Sequence, residues 1–220
     1  LPIEAMPRNI APKPIDPAEW NRNDGFSPGA MLLTYVPDLD LAATWGLSAR
    51  PDRYQRQLTD LDLSLAPDAP IVLVDADTGE RPPFFAELDE HPDTAPEART
   101  LIIRPAVNLT EGHRYVVGLR DLRSRDGAVI EAGAAFAALR DGTAGGPRQA
   151  HFDGEVFPVL EAAGVGRDEL FLAWDLTVAS AENLTGRALH LRDTAFAALG
   201  DTDLDDGVID GDAPTFAIGD

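Results

Sequence analysis

The chain has 220 residues, 44% of them apolar and 25% charged, the profile of an ordinary folded protein long enough to bury a core without covalent staples. Its 38 acids against 18 Lys and Arg give a net charge of −20, which repels nucleic-acid phosphate and anionic membrane faces; solubility is the plain reading of that charge and divalent-cation binding the sharper one. There is no cysteine, so disulfides, thiolate zinc sites and cysteine nucleophiles are excluded, and no apolar run approaches the roughly 18 residues of a membrane span.

Residues 1–30 hold Pro2, Pro7, Pro12, Pro14 and Pro17, then Asn21-Arg22-Asn23-Asp24-Gly25, and read as an extended, irregular lead-in. Ile3, Met6, Ile10, Ile15, Trp20 and Phe26 within it are expected to pack on the rest of the chain. Met31–Val36 predicts a strand that stops at Pro37. Tyr54, Leu58 and Leu61, after Pro51, have helical spacing. Four further strands are expected at residues 71–74, 84–88, 100–105 and 113–119, the first turned by Asp77-Thr78-Gly79-Glu80.

The last third changes period. Phe152, Val156, Val159, Leu160 and Ala163 predict a helix that ends at Gly164 and starts late or kinks at Pro158. Leu170–Val178 is the strongest strand pattern of the chain. Ser180 is a candidate N-cap with Glu182 in the first turn; Leu184, Ala188, Leu191, Ala195 and Leu199 form an apolar stripe, and Gly200 ends it. The expected fold is mainly β (α+β), a β-sandwich in one domain over 1–220, with the lead-in at 1–30 and a helix–strand–helix part at 150–200.

Few motifs carry chemistry. A nucleophile elbow, Gly-x-Ser-x-Gly, is absent; Gly46-Leu47-Ser48-Ala49-Arg50 offers only its first glycine. No P-loop, dinucleotide fingerprint or His-Glu-x-x-His occurs, and Gly142-Thr143-Ala144-Gly145-Gly146 reads as a loop. His91, His113, His151 and His190 stand at no metal-ligand spacing, and each reads as a surface or structural residue. Glu87 and Asp89 share a strand face, which suits a solvated edge better than an acid–base pair. Asn108-Leu109-Thr110 and Asn183-Leu184-Thr185 are glycosylation sequons, without meaning in an ordinary bacterial chain. No catalytic and no cofactor-binding residue is assigned.

The most distinctive stretch runs from Asp201 to Asp212. Calcium takes six to eight oxygens, and an EF-hand-like loop supplies them at alternate positions. Asp201, Asp203 and Asp205 alternate, and Asp212 stands where the last ligand belongs. Asp206 occupies the position of the usual glycine, so a solvated acidic turn is the competing reading. Exposed aromatics are the natural anchors for a partner; Trp20, Trp45 and Tyr54 fall in irregular regions, whereas Trp174 is flanked by core-like residues.

Leu101-Ile-Ile-Arg-Pro-Ala-Val-Asn-Leu-Thr-Glu-Gly-His-Arg-Tyr-Val-Val-Gly-Leu119 resembles the strand, Pro, Leu, Gly, Tyr, strand pattern of bacterial Ig-like domains. Arg123-Ser-Arg-Asp-Gly-Ala-Val-Ile130 resembles the turn that follows in them. Leu172–Ser180 is similar to the closing strand of the N-terminal β-rich domain in exported bacterial lipases and related hydrolases, and Asp24–Leu32 fits its opening. The likeness covers about residues 24–200. It implies an Ig-like domain, secreted or at the cell surface, that precedes an α/β-hydrolase domain in the same polypeptide. The catalytic serine, acid and histidine of that family lie in the following domain, and no position here matches them. The expected function is a non-catalytic accessory or binding domain of such a protein. A calcium-stabilised extracellular binding module and a small stand-alone hydrolase are the alternatives.

Overall fold

The computed structural model describes residues 1–47, 57–58, 60–89, 91, 94–212 and 217–218. They form two compact units, one of residues 25–178 and one of residues 1–24 with 179–220.

The larger unit carries the strands β1 (Leu32–Tyr35), β2 (Gln57–Leu58), β3 (Ile71–Asp75), β4 (Phe84–Leu88), β5 (Thr100–Pro105), β6 (Arg114–Arg120) and β7 (Leu170–Thr177). They make two antiparallel sheets, ordered β1-β5-β4-β2 and β3-β6-β7. Leu32, Phe84, Ala86, Leu101 and Ile103 of the first sheet share one buried cluster with Ile71, Leu73, Tyr115, Val117 and Leu119 of the second. Two one-turn helices, α1 (Leu41–Thr44) and α2 (Leu61–Ser64), are capped by the carboxylates of Asp40 and Asp60.

The outer face of the β3-β6-β7 sheet is covered by helices: α3 (Ala134–Arg140), α4 (Gly146–His151) and α5 (Phe157–Ala162). Val72, Val74 and Val116 meet Phe136, Phe152, Phe157 and Leu160 there. β3 is therefore buried on both sides, which is why Ile71-Val72-Leu73-Val74 runs apolar without alternation. Between α4 and α5 the chain widens into one π turn, Phe152–Val156. Pro158 lacks an N–H and its ring collides with the carbonyl four residues back, so a regular helix cannot run through. Phe136, Phe152 and Phe157 pack at centroid distances of 5.5–6.4 Å.

The smaller unit holds α6 (Ala181–Leu199), whose first turn is closed by the Ser180 hydroxyl accepting the Asn183 amide at 3.1 Å. Gly200, at φ +100°, takes the left-handed position that ends it. The lead-in folds on itself: Arg8 bridges Pro14, and the Asn9 carboxamide oxygen accepts the amides of Ala11 and Lys13.

Several expectations are corrected. Helix outweighs strand over the described residues, so the chain is α+β rather than mainly β. Tyr54 lies outside the described residues, and Leu58 belongs to a short strand against Ala86, not to a helix. The lead-in side chains Ile3, Ile10, Ile15 and Trp20 are exposed, because local backbone bonds rather than burial hold the segment. No residue of α6 is buried, its apolar stripe included. Trp45 packs partly buried against the core instead of offering a surface anchor, and Trp174 packs there as expected.

Candidate functional site

Asp75 ends β3 directly opposite Tyr115 of β6. Its Oδ1 accepts the amides of Asp77 (2.9 Å) and Thr78 (3.3 Å), which closes the turn after the strand. Its Oδ2 lies 2.8 Å from His113 Nδ1, and the Tyr115 hydroxyl bonds to the same carboxylate. Asp77 Oδ2 accepts the Arg114 amide at 2.8 Å. The Tyr115 hydroxyl also accepts the Thr110 amide at 2.8 Å, across a bend that Gly112 makes at φ +77°.

Asp75 is buried and His113 partly exposed. Burial alone would lift the Asp75 carboxyl, but the bonds from His113, the Asp77 amide, Tyr115 and Thr78 outweigh it and hold the group below the usual carboxylate range. His113 shifts the other way: its bond to Asp75, opposed by partial desolvation and aided by the charges of Asp75 and Asp77, raises the imidazole. The Tyr115 phenol is pushed up, mainly by burial.

Asp75, Asp77 and His113 are the one group among the described residues in which three such ligand atoms lie within 4.8 Å of one another. Both Asp75 oxygens and one of Asp77 already take protein hydrogens. That donor set fits a hydrogen-bonded hub that locks the β3 turn to the entry of β6 better than a cation cage, since few oxygens remain open. A cleft of about 240 Å³ beside it is lined by Asp75, Arg81, Asn108, Thr110 and Tyr115. Arg81 is committed there, donating to the Ala66 and Ser64 carbonyls.

A second pair stands on the opposite face of that sheet. His151 Nε2 lies 3.0 Å from Asp175 Oδ1, and Arg114 reaches both Asp175 (3.5 Å) and Glu155 (3.0 Å). His91 is exposed, and His190 sits on α6. A stand-alone hydrolase would need two of these histidines in one pocket with a carboxylate; His113 and His151 each meet their own aspartate, on different faces. Glu87 pairs with Arg104 at 2.5 Å, whereas Asp89 accepts the His91 amide at 3.1 Å, so these two acids serve separate partners.

The acidic loop is not drawn into one cage. Asp201, Asp203, Asp205 and Asp212 form no such three-ligand group among the described residues. Asp201 is buried just beyond α6; its Oδ2 accepts the Asp210 amide, while Oδ1 has no partner among the described residues. Asp203 accepts the Asp205 amide, and the Asp212 amide donates to the Leu199 carbonyl.

The smaller unit also carries a groove of about 920 Å³. One wall is the Trp20–Arg22 turn and Asn23, the other the first half of α6. Sequence reasoning singled out Trp20 and found the turn after β3, yet missed Asp75 and Arg114. The remaining signal was an acid closing an apolar run, and its partner lies 38 residues away.

Comparison with family models, curated proteins and solved structures finds no match. Among the described residues no helix is long and apolar enough to cross a membrane.

Proposed function

We propose that the chain is a non-catalytic accessory domain, Ig-like in fold, of a larger exported bacterial hydrolase-like protein. The observation that carries this reading is the corner between β5 and β6. There the chain leaves one sheet for the other, and the Tyr115 hydroxyl takes the amide of Thr110, five residues upstream. A tyrosine bonded back across the corner into the sixth strand is a hallmark of Ig-like sandwiches. The strand order supports it: β1-β5-β4 and β3-β6-β7 run in the order expected of the B-E-D and C-F-G strands of that fold, with the short β2 as an additional edge strand beside β4. The helices inserted between β6 and β7 cover a face that the plain fold leaves to solvent.

The corner is built from Pro105, Leu109, Gly112 and Tyr115, the same residues that carry the resemblance to bacterial Ig-like domains; the likeness to the β-rich domain of exported lipases rests on Leu172–Ser180 and Asp24–Leu32. In that arrangement the partner is a following catalytic domain, and the location is secreted or at the cell surface. The test is to read the gene past codon 220 and to assay ester hydrolysis on the whole product and on residues 1–220 apart. The expected result is a downstream segment with Gly-x-Ser-x-Gly, with turnover in the whole product alone. A stop codon directly after Asp220, or ester turnover by the 220-residue chain, would overturn the reading.

A calcium-stabilised binding module is the second reading. Asp201 favours it, as a buried carboxylate with one oxygen lacking a donor among the described residues.

A further inference from the structure

The groove of the smaller unit is held open by three bonds between its walls. The Ser180 hydroxyl and amide donate to Asp24 at 2.6 and 3.1 Å, and Asn183 Nδ2 donates to the Arg22 carbonyl at 3.0 Å. Those bonds keep the Asp24 carboxyl below the usual range, so it is spent on architecture. Arg22 is likewise paired, with Glu19 at 3.2 Å. Trp20 is left half exposed on one wall, a large flat aromatic with no core to fill. Facing it, Glu182, Arg187 and His190 line the helix wall, and their side chains have no hydrogen-bond or ion-pair partner among the described residues. The Glu182 carboxylate lies over Gly186: a Cβ there would come within 2.5 Å of it.

We propose that this groove binds a neutral oligosaccharide, one pyranose stacked on Trp20 and its hydroxyls bonded by Asn23, Glu182, Arg187 and His190. A sugar ring offers an apolar C–H face and an equatorial rim of hydroxyls. It asks for one aromatic platform and several planar groups that between them donate and accept: here Arg187 donates, Glu182 accepts, and Asn23 and a neutral His190 can do both. The groove is open at the surface, which suits a chain rather than an enclosed small molecule. An anionic glycan is disfavoured, because Glu19, Asp24 and Glu182 line the same walls and the whole chain carries −20. The pre-bonded walls also lower the ordering cost of binding.

The test is calorimetric titration of the 220-residue chain with cellohexaose, xylohexaose, mannohexaose and chitohexaose, and with oligogalacturonate and heparin fragments as anionic counterparts. Binding of at least one neutral hexasaccharide is expected. Trp20→Ala should raise Kd about tenfold or more, Trp20→Phe less, as for a buried aromatic anchor. Gly186→Ala introduces a better helix former and pushes the Glu182 carboxylate off its place in the groove, so it should weaken binding without lowering Tm. That variant guards against loss of fold in Trp20→Ala. No binding of any neutral hexasaccharide, binding of the anionic set alone, or affinity unchanged in Trp20→Ala or in Gly186→Ala would overturn the proposal.

Discussion

His113 Nδ1 stands 2.8 Å from the buried carboxylate of Asp75, and the pair joins the end of β3 to the start of β6. Asp75 raises the imidazole above its ordinary value of 6.5, so its contribution to stability is fully present below that value and fades as pH rises through the raised one. Asp75 is held below its ordinary 3.8, so its contribution is present above 3.8 and lost as pH falls through the lowered value. Stability from this pair should peak in the window between 3.8 and 6.5. Calorimetric Tm measured from pH 4 to 9 should decline on the alkaline side in the wild type, and His113→Gln should flatten that limb. An unchanged alkaline limb in the variant would remove the pair from the account.

Arg120 closes β6 by gripping the neighbouring loop. Its Nε donates to the Ala69 carbonyl at 3.1 Å, one terminal nitrogen to the Pro67 carbonyl at 2.6 Å, and the other to Glu169 at 2.7 Å. The side chain is buried, so three acceptors depend on one planar fork. Arg120→Lys keeps the charge but supplies a single nitrogen. It should cost about 2 kcal/mol, the penalty of leaving the buried Ala69 carbonyl unmet. The urea midpoint should fall at constant m value; an unchanged midpoint would mean that water replaces the fork.

How much of this was legible in the sequence depended on whether the cause was local. Residues 84–88 and 100–105 were read to the residue, because apolar runs ended at turn formers. Pro158 announced an irregular helix, and the π turn before it is the form that irregularity takes. Ser180 and Gly200 marked both ends of α6, since caps are written in adjacent residues. Its apolar stripe, however, reads as a buried face only when something packs on it, and pattern cannot supply the partner. Leu58 became a strand because Ala86 lies beside it. The Asp75, His113 and Tyr115 hub arises from the β3 to β6 register, which places residues 38 and 40 positions apart side by side.

Gly118 sits in β6 where α5 comes closest. A Cβ there would lie 3.0 and 3.2 Å from the two methyls of Leu160 and 3.3 Å from Leu170 Cδ2. Both leucines are fully buried, so neither can swing into solvent. Gly118→Ala should therefore destabilise by about 1–3 kcal/mol through overpacking, despite the better strand propensity of alanine. Leu160→Val should relieve part of that cost, so the double variant should lose less than the two single losses added together. Strict additivity in a urea-melt cycle would mean that the helix shifts away instead of straining.

Asp201 follows α6 immediately, where the helix leaves its carbonyl ends and a partial negative charge. The carboxylate is buried there, with one oxygen unpartnered among the described residues. In metal-free buffer that charge opposes folding, so Asp201→Asn should raise Tm, by a gain of about 0.3–1 kcal/mol from the helix end alone. Calcium separates the two functional readings. The carboxylates of Asp201, Asp203, Asp205 and Asp212 form no three-ligand cage, so millimolar calcium is expected to leave the wild-type Tm unchanged. A calcium-dependent rise that Asp201→Asn abolishes would establish the calcium-stabilised module, because only a bound cation turns the same buried charge from a cost into a ligand.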